Sequence, residues 1–238
     1  KKLIYALAQN KDNMTSIPGL IHRDSSNTIH VNRQCELIVN LDELPYPDYS
    51  EFVMSGYPAI NNRSIPIVTS RGCPFSCTFC NAHHVTGRTF RYFSAGYIID
   101  EIKYYRKRGF TAIDIADDCF NVKLDRAKEI LRLIIRQKLD LVIRFMVGMR
   151  ANFADQEFFN LLKEAGCRQV GFGLEAGDPE VLKSIKKNIT IQQMIQTLKF
   201  AKNAGIITAV NFIIGHPNET YQQAKKSIAL ARSLPADE

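Results

Sequence analysis

The sequence lacks any run approaching the roughly 18 to 20 uninterrupted apolar residues of a membrane-spanning helix. Its N-terminus also lacks the apolar block of a secretory signal, so the cytoplasm is the default compartment. A disulfide framework is missing as well: of six cysteines, three crowd between positions 73 and 80, while Cys35, Cys119 and Cys167 lie far apart. Crowding of that kind suggests a metal rather than cross-links. Extreme composition is absent too, since 45% of the 238 residues are hydrophobic and 23% charged. That excludes disorder and suits a globular chain with one large core. A formal charge of +7 would allow an acidic partner such as RNA. The lysines and arginines are spread along helical stretches as a solvated face would be, which disfavours nucleic acid.

The chain begins at Lys1 rather than Met and stops at Glu238 just after a helical pattern, so it reads as a fragment with partners missing at both ends. Residues 1–9 resemble the last turns of a helix. A small hairpin is expected next, with arms 19–22 and 28–31 joined by the polar turn 23–27. The run Leu-Pro-Tyr-Pro-Asp-Tyr at 44–49 is expected to be an extended linker, because its two prolines disfavour helix on both sides. Residues 1–50 are therefore expected to form the edge of an upstream domain with a hairpin and linker, and 51–238 the main domain.

From residue 65 the pattern changes to short β-branched runs alternating with amphipathic segments, the signature of repeated βα units and a parallel sheet. Strands are expected at 65–70, 112–116, 142–147, 169–174 and 208–214, and helices at 95–107, 125–137, 155–165, 191–204 and 221–233. Gly109, Gly166 and Gly205 sit where helices should stop. The fold class is thus α/β, a partial (β/α) barrel of five units, ending before a sixth strand and leaving a bare sheet edge prone to association. In such folds reactive groups lie at the carboxyl ends of the strands.

The segment Ser70-Arg71-Gly72-Cys73-Pro74-Phe75-Ser76-Cys77-Thr78-Phe79-Cys80 places a C-x3-C-x2-C loop directly after the first of these strands. Three thiolates can bind three irons of a four-iron cluster and leave the fourth open to a small molecule. The rival is a closed zinc site of Cys73, Cys77, Cys80 and His83, which would make the chain a non-catalytic binding module. His83 and His84 otherwise read as polar loop residues. Asp117 and Asp118 follow the second strand, and one of them is expected to cap the next helix. Arg150 follows the third strand and suits recognition of a carboxylate through paired hydrogen bonds, against a surface ion pair. Glu175 follows the fourth, where a helix start would also favour a carboxylate. Gly215 follows the fifth and permits close backbone approach, Glu219 is expected to orient that turn, and Cys119 is expected to be a small apolar filler.

The cysteine loop, with the aromatic Phe79 just before its third cysteine, resembles the cluster motif of the radical S-adenosylmethionine superfamily. The segments Gly173-Leu174-Glu175-Ala176 and Gly215-His216-Pro217-Asn218-Glu219-Thr220 resemble that family's Gly-x-Glu-Ser and Gly-x-Pro-x-Glu-Thr segments. The resemblance implies a [4Fe-4S] cluster on Cys73, Cys77 and Cys80, with the open iron chelated by the methionine moiety of S-adenosylmethionine. It implies an enzyme that reductively cleaves this cofactor to a 5′-deoxyadenosyl radical, using an external one-electron reductant of flavodoxin or ferredoxin type. Phe79, Asp117, Asp118, Arg150, Glu175 and Gly215 become candidate cofactor-binding residues. Asp117 and Asp118 stand where the family often has Gly-Gly-Glu, so this chain departs from the pattern there.

The pieces at 17–23 and 41–49 resemble the junction in the branch where a cobalamin-binding domain precedes the barrel. That branch includes anaerobic magnesium-protoporphyrin monomethyl ester cyclase and class B methylases. It implies cobalamin, held by an upstream domain, and methyl transfer or oxidative cyclisation of a small-molecule substrate. Methylthiolation is the runner-up reaction.

Overall fold

The computed structural model describes residues 2–9, 14–50, 63–145 and 148–238. The chain divides into two compact units, Lys1–Val39 and Asn40–Glu238. The smaller unit contains helix α1 (Lys2–Ala8) and an antiparallel hairpin of β1 (Ile21–Arg23) and β2 (Ile29–Val31). Its polar turn is closed by Asp24, whose Oδ1 accepts from the backbone N–H groups of Ser26 (2.9 Å) and Thr28 (3.0 Å). Such side-chain-to-backbone bonds make aspartate a turn residue.

The larger unit runs through β3 (Ser64–Ile67), β4 (Ser70–Arg71), the helical turn α2 (Ala82–Val85), β5 (Arg91–Tyr92), α3 (Ala95–Arg106), β6 (Ala112–Ile115) and α4 (Leu124–Arg136). It continues with β7 (Val142–Phe145), α5 (Gln156–Glu164), β8 (Cys167–Glu175), α6 (Pro179–Ser184), α7 (Ile191–Asn203), β9 (Ile207–Phe212) and α8 (Tyr221–Ser233). Among the described residues β3, β6, β7, β8 and β9 form one all-parallel sheet in sequence order, open rather than closed into a barrel. Ile65, Ile113, Ile143, Val170 and Phe172 on the strands share one core with Ile98, Ile130, Phe158, Leu162 and Leu198 on the helices. A parallel sheet covered by crossover helices buries its strands in this way, which is why they read as β-branched runs.

Helix starts follow local chemistry. Ser94 and Asp155 cap α3 and α5, while Thr190 and Thr220 form capping boxes with Gln193 and Gln223 on α7 and α8. Gly109, Gly166 and Gly205 have φ of 90°, 100° and 68°, the left-handed stops expected after helices.

Several boundaries differ from the sequence reading. The larger unit begins at Asn40, not after residue 50, because 40–49 is packed against α3 rather than free. Leu41 is fully buried, Asp42 Oδ1 accepts from Ser94 N (2.8 Å), and Tyr97 and Tyr105 donate their hydroxyls to the carbonyls of Leu44 (2.8 Å) and Pro47 (2.7 Å). The first strand of the sheet stops at Ile67, and Ser70–Arg71 pairs antiparallel with β5 instead. The sheet edge expected to be bare carries backbone bonds: Asp237 N and Glu238 N donate to Thr208 O, and Val210 N donates to Glu238 O, all at 3.0 Å. Residues 51–62, where the main domain was expected to open, and Val147, the expected end of the third strand, lie outside the described residues. No helix among the described residues is long and apolar enough to cross a membrane.

Candidate cluster and cofactor site

The cysteine loop is gripped at its base by the two acids that follow β6. Asp117, 2% exposed, accepts from Thr69 N (2.5 Å), Thr69 Oγ1 (2.6 Å) and Ser70 Oγ (2.5 Å). Arg126 of α4 donates to the Thr69 carbonyl at 2.6 Å and to the Phe93 carbonyl at 3.0 Å. A buried acid and a buried base therefore hold the same residue, Thr69, which explains why the strand breaks there. Burial pushes the Asp117 carboxyl above its ordinary range, against the opposing pull of these hydrogen bonds and of Arg126. Asp118 Oδ2 accepts from Gly72 N (3.1 Å) and Thr86 Oγ1 (2.6 Å), tying the residue before Cys73 to the end of α2. Neither acid caps α4, whose N-cap is Lys123 without a side-chain bond; the cysteine loop offers both a fuller set of donors.

Further bonds close the loop. Cys73 N donates to Gly87 O (3.2 Å), Cys80 N to Cys77 O (3.2 Å), and Thr78 N to Ile185 O (3.0 Å) beyond α6. Cys73, Cys77 and Cys80 are free and partly buried. Burial raises the Cys73 thiol, and the nearby Cys80 and Cys77 raise it further. Cys119 is fully buried and pushed to about 12 by desolvation, the behaviour of an apolar filler. His83 and His84 lie on α2 with ring centroids 3.9 Å apart.

Arg150 is 7% exposed, which removes the surface ion-pair reading. Its Nη1 points to Cys77 Sγ at 3.8 Å, its Nη2 to the carbonyls of Lys187 and Asn188, and its Cζ lies 3.9 Å from the Phe75 ring centroid. Asn121, wholly buried, holds Arg150 by its backbone, accepting from Arg150 N (3.0 Å) and donating to Arg150 O (2.8 Å).

Glu175 is also 7% exposed and has φ of 75°, in the left-handed region that a glutamate rarely occupies. Its Oε1 meets Lys187 Nζ at 2.8 Å. Gly173 makes room for this, since a Cβ there would collide with the Glu175 carboxylate. The helix-start reading of Glu175 does not hold: Asp178 caps α6. Lys187 Nζ also lies 5.6 Å from the centroid of Phe79, which is itself 39% exposed and 5.9 Å from the ring of buried His216. Glu219 Oε2 accepts from Gly215 N (2.6 Å) and His216 N (3.2 Å), orienting the turn after β9. Gly215 has φ of 94°, and a Cβ added to it would meet nothing within 4 Å, so its backbone is open to a ligand.

Phe75, Asn121, Lys187 and His216 were not singled out by the sequence reading. Lys187 had no signal at all, because Lys-Ser-Ile-Lys-Lys reads as a solvated face.

The donor set, three free thiols spaced C-x3-C-x2-C, suits a four-iron cluster with one iron left open. Among the described residues no three His, Cys, Asp or Glu side chains are gathered around one point. Three thiols set around an iron–sulfur cube are held apart by the cube itself. The Arg150 guanidinium beside Cys77 supplies positive charge where three thiolates would concentrate negative charge.

The model of the radical SAM superfamily matches residues 67–231. The chain belongs to that superfamily, whose members are enzymes that bind a [4Fe-4S] cluster and S-adenosylmethionine. It is 33% identical over 238 residues to an uncharacterised methyltransferase of Pyrococcus horikoshii, covering 100% of this chain and 51% of that protein. It is 27% identical over 205 residues to the anaerobic magnesium-protoporphyrin IX monomethyl ester cyclase of Rubrivivax gelatinosus, covering 84% and 36%. The fold matches that of the radical S-adenosylmethionine methyltransferase TsrM from Kitasatospora setae, solved with cobalamin and a [4Fe-4S] cluster, with a TM-score of 0.79 at 21% identity over 99% of this chain and 47% of that one. The chain spans about a third to a half of the length of the curated relatives it matches.

Proposed function

We propose that this chain is the cluster- and cofactor-binding core of a cobalamin-dependent radical enzyme that methylates or cyclises a small-molecule substrate. The observation that carries the reading is the free-thiol loop with Arg150, after β7, reaching Cys77 at 3.8 Å, while Lys187, paired with Glu175 at the end of β8, lies 5.6 Å from the Phe79 ring of the same loop. When bound, the cluster and S-adenosylmethionine supply one-electron chemistry, an electron from an external reductant breaking a carbon–sulfur bond of the sulfonium. The chain's own residues do the rest. Cys73, Cys77 and Cys80 take three irons. Glu175 offers a carboxylate to a hydroxyl or ammonium of the cofactor, and the open backbone at Gly215 receives its base beside the Phe79 ring.

Asp117 and Asp118 act on the cofactor through the cysteine loop they clamp. The unit Lys1–Val39 is read as the edge of a cobalamin-binding domain, and the unit Asn40–Glu238 as the radical core. The relatives in this branch support methyl transfer or ring closure.

Anaerobic reconstitution with iron and sulfide tests the reading. The expected result is about four irons and matching sulfide per chain, with 5′-deoxyadenosine formed when S-adenosylmethionine and dithionite are added. Stoichiometric zinc without sulfide would sink it. A longer chain that includes the upstream region, supplied with cobalamin, should form methylated or cyclised product that the bare core does not.

A further inference from the structure

We propose that Arg150 sets the reduction potential of the cluster by donating to the sulfur of Cys77, holding the potential higher than the thiolates alone would. This rests on the reading that the cysteine loop carries an iron–sulfur cluster. Nη1 of Arg150 lies 3.8 Å from Cys77 Sγ, and the guanidinium is 7% exposed. Its other polar partners are neutral oxygens: Asn152 Oδ1 (3.3 Å), the Lys187 carbonyl and the Asn188 carbonyl (3.4 Å). Of the acids at this rim, Glu175 is paired with Lys187 at 2.8 Å, while Asp117 and Asp118 accept from Thr69, Ser70, Gly72 and Thr86, and among the described residues Arg150 enters no ion pair. Arg150 is therefore a buried cation outside any direct ion pair among the described residues, packed on Phe75 at 3.9 Å and directed at Cys77.

Reduction adds one electron to the cluster and makes no bond. A buried cation and a hydrogen bond to a ligand sulfur stabilise the more negative, reduced state, which raises the potential. With Nη1 and Nη2 both engaged, a paired grip on a carboxylate would first have to break these contacts. The backbone bonds from Asn121 and the carbonyls of the 187–188 segment hold the side chain in place. Arg150 would thus act on an electron-accepting cluster through Cys77 alone.

The test is a redox titration of the reconstituted full chain, followed by electron paramagnetic resonance of the reduced cluster. R150Q should keep its iron and sulfide yet show a reduction equilibrium about tenfold less favourable, about 59 mV more negative for one electron. R150K, which keeps the charge without the planar fork, should fall between. A fully loaded R150Q with the wild-type midpoint would overturn the proposal. Absence of iron and sulfide from the unsubstituted protein would instead overturn the cluster reading. Should R150Q fail to load, the unsubstituted protein labelled with guanidinium-15N arginine decides: a 15N coupling to the reduced cluster is expected in pulsed spectra, and none would refute the proposal.

Discussion

β6 and β7 are neighbours in the sheet and both deliver charged residues to the same rim, yet those residues do different things. Every observed bond of Asp117 and Asp118 goes to Thr69 at the entry of the cysteine loop, to Ser70 or Gly72 within it, or to Thr86 beyond it, so these acids hold the loop's shape. Arg150 instead ends on the thiol of Cys77, and Glu175, one strand further on, meets a lysine that faces Phe79. Position at a strand's carboxyl end therefore admits a residue to the site without assigning its role. Saturation of its hydrogen-bonding capacity by the protein assigns it: a side chain whose partners are all backbone and hydroxyl groups of one loop is a clamp.

The comparison breaks most visibly at Asp117. D117A leaves two hydroxyls and one backbone N–H buried without an acceptor, at about 1 to 3 kcal/mol for each such group. The expected loss is about 3 kcal/mol in urea unfolding, accompanied by poor iron loading. Unchanged stability would mean that the acid is not a clamp.

On the other side, G173A should leave the fold nearly intact while displacing the Glu175 carboxylate that occupies the space. Affinity for S-adenosylmethionine, measured by equilibrium dialysis on reconstituted protein, should fall about tenfold, or about 1.4 kcal/mol. Wild-type affinity would detach Glu175 from the cofactor. D118A removes an acceptor that is only partly buried and should cost about 1 kcal/mol. Its clearer signature is slower cluster assembly in a time course of iron uptake, which D118N should partly restore.

The smallest effect lies away from the site. Asp178 caps α6 and accepts from Lys226 Nζ (2.7 Å) and Gln223 Nε2 (3.1 Å) of α8. The hydrogen bond from Lys226, followed by those from Gln223 and the α6 backbone, hold its carboxyl below the usual value of 3.8. A depressed folded-state value means the group stabilises the protein above 3.8 and loses that contribution as pH falls through the lower folded value. Unfolding midpoints between pH 5 and 3 should therefore decline less in D178N than in the wild type, in the same ionic strength. Parallel declines would remove this link between α6 and α8.

The periodic elements were legible because their signals are local. The starts of α3, α5, α7 and α8 carried their own Ser, Asp or Thr cap, and the stops of α3, α5 and α7 their own glycine, so the expected helix at 221–233 coincides with α8. The helix α6 was missed although Asp178-Pro179-Glu180 is a readable start, because six residues offer too little periodicity. The cysteine spacing marked the loop outright. Lys187 stayed invisible, since a lysine in a charged run acquires meaning only when Glu175, twelve residues earlier in sequence, is folded against it.

By itself the sequence determined the βα alternation, the all-parallel order and the three thiols, because these depend on residue type and short spacing. Tertiary structure alone decided which charged residues bond to the loop's base and which reach Cys77 or Lys187. Those assignments depend on contacts across gaps of 48 residues for Asp117 and Thr69, and 73 for Arg150 and Cys77. Over such separations the chain's local preferences carry no information about which partner will fill a side chain's hydrogen bonds.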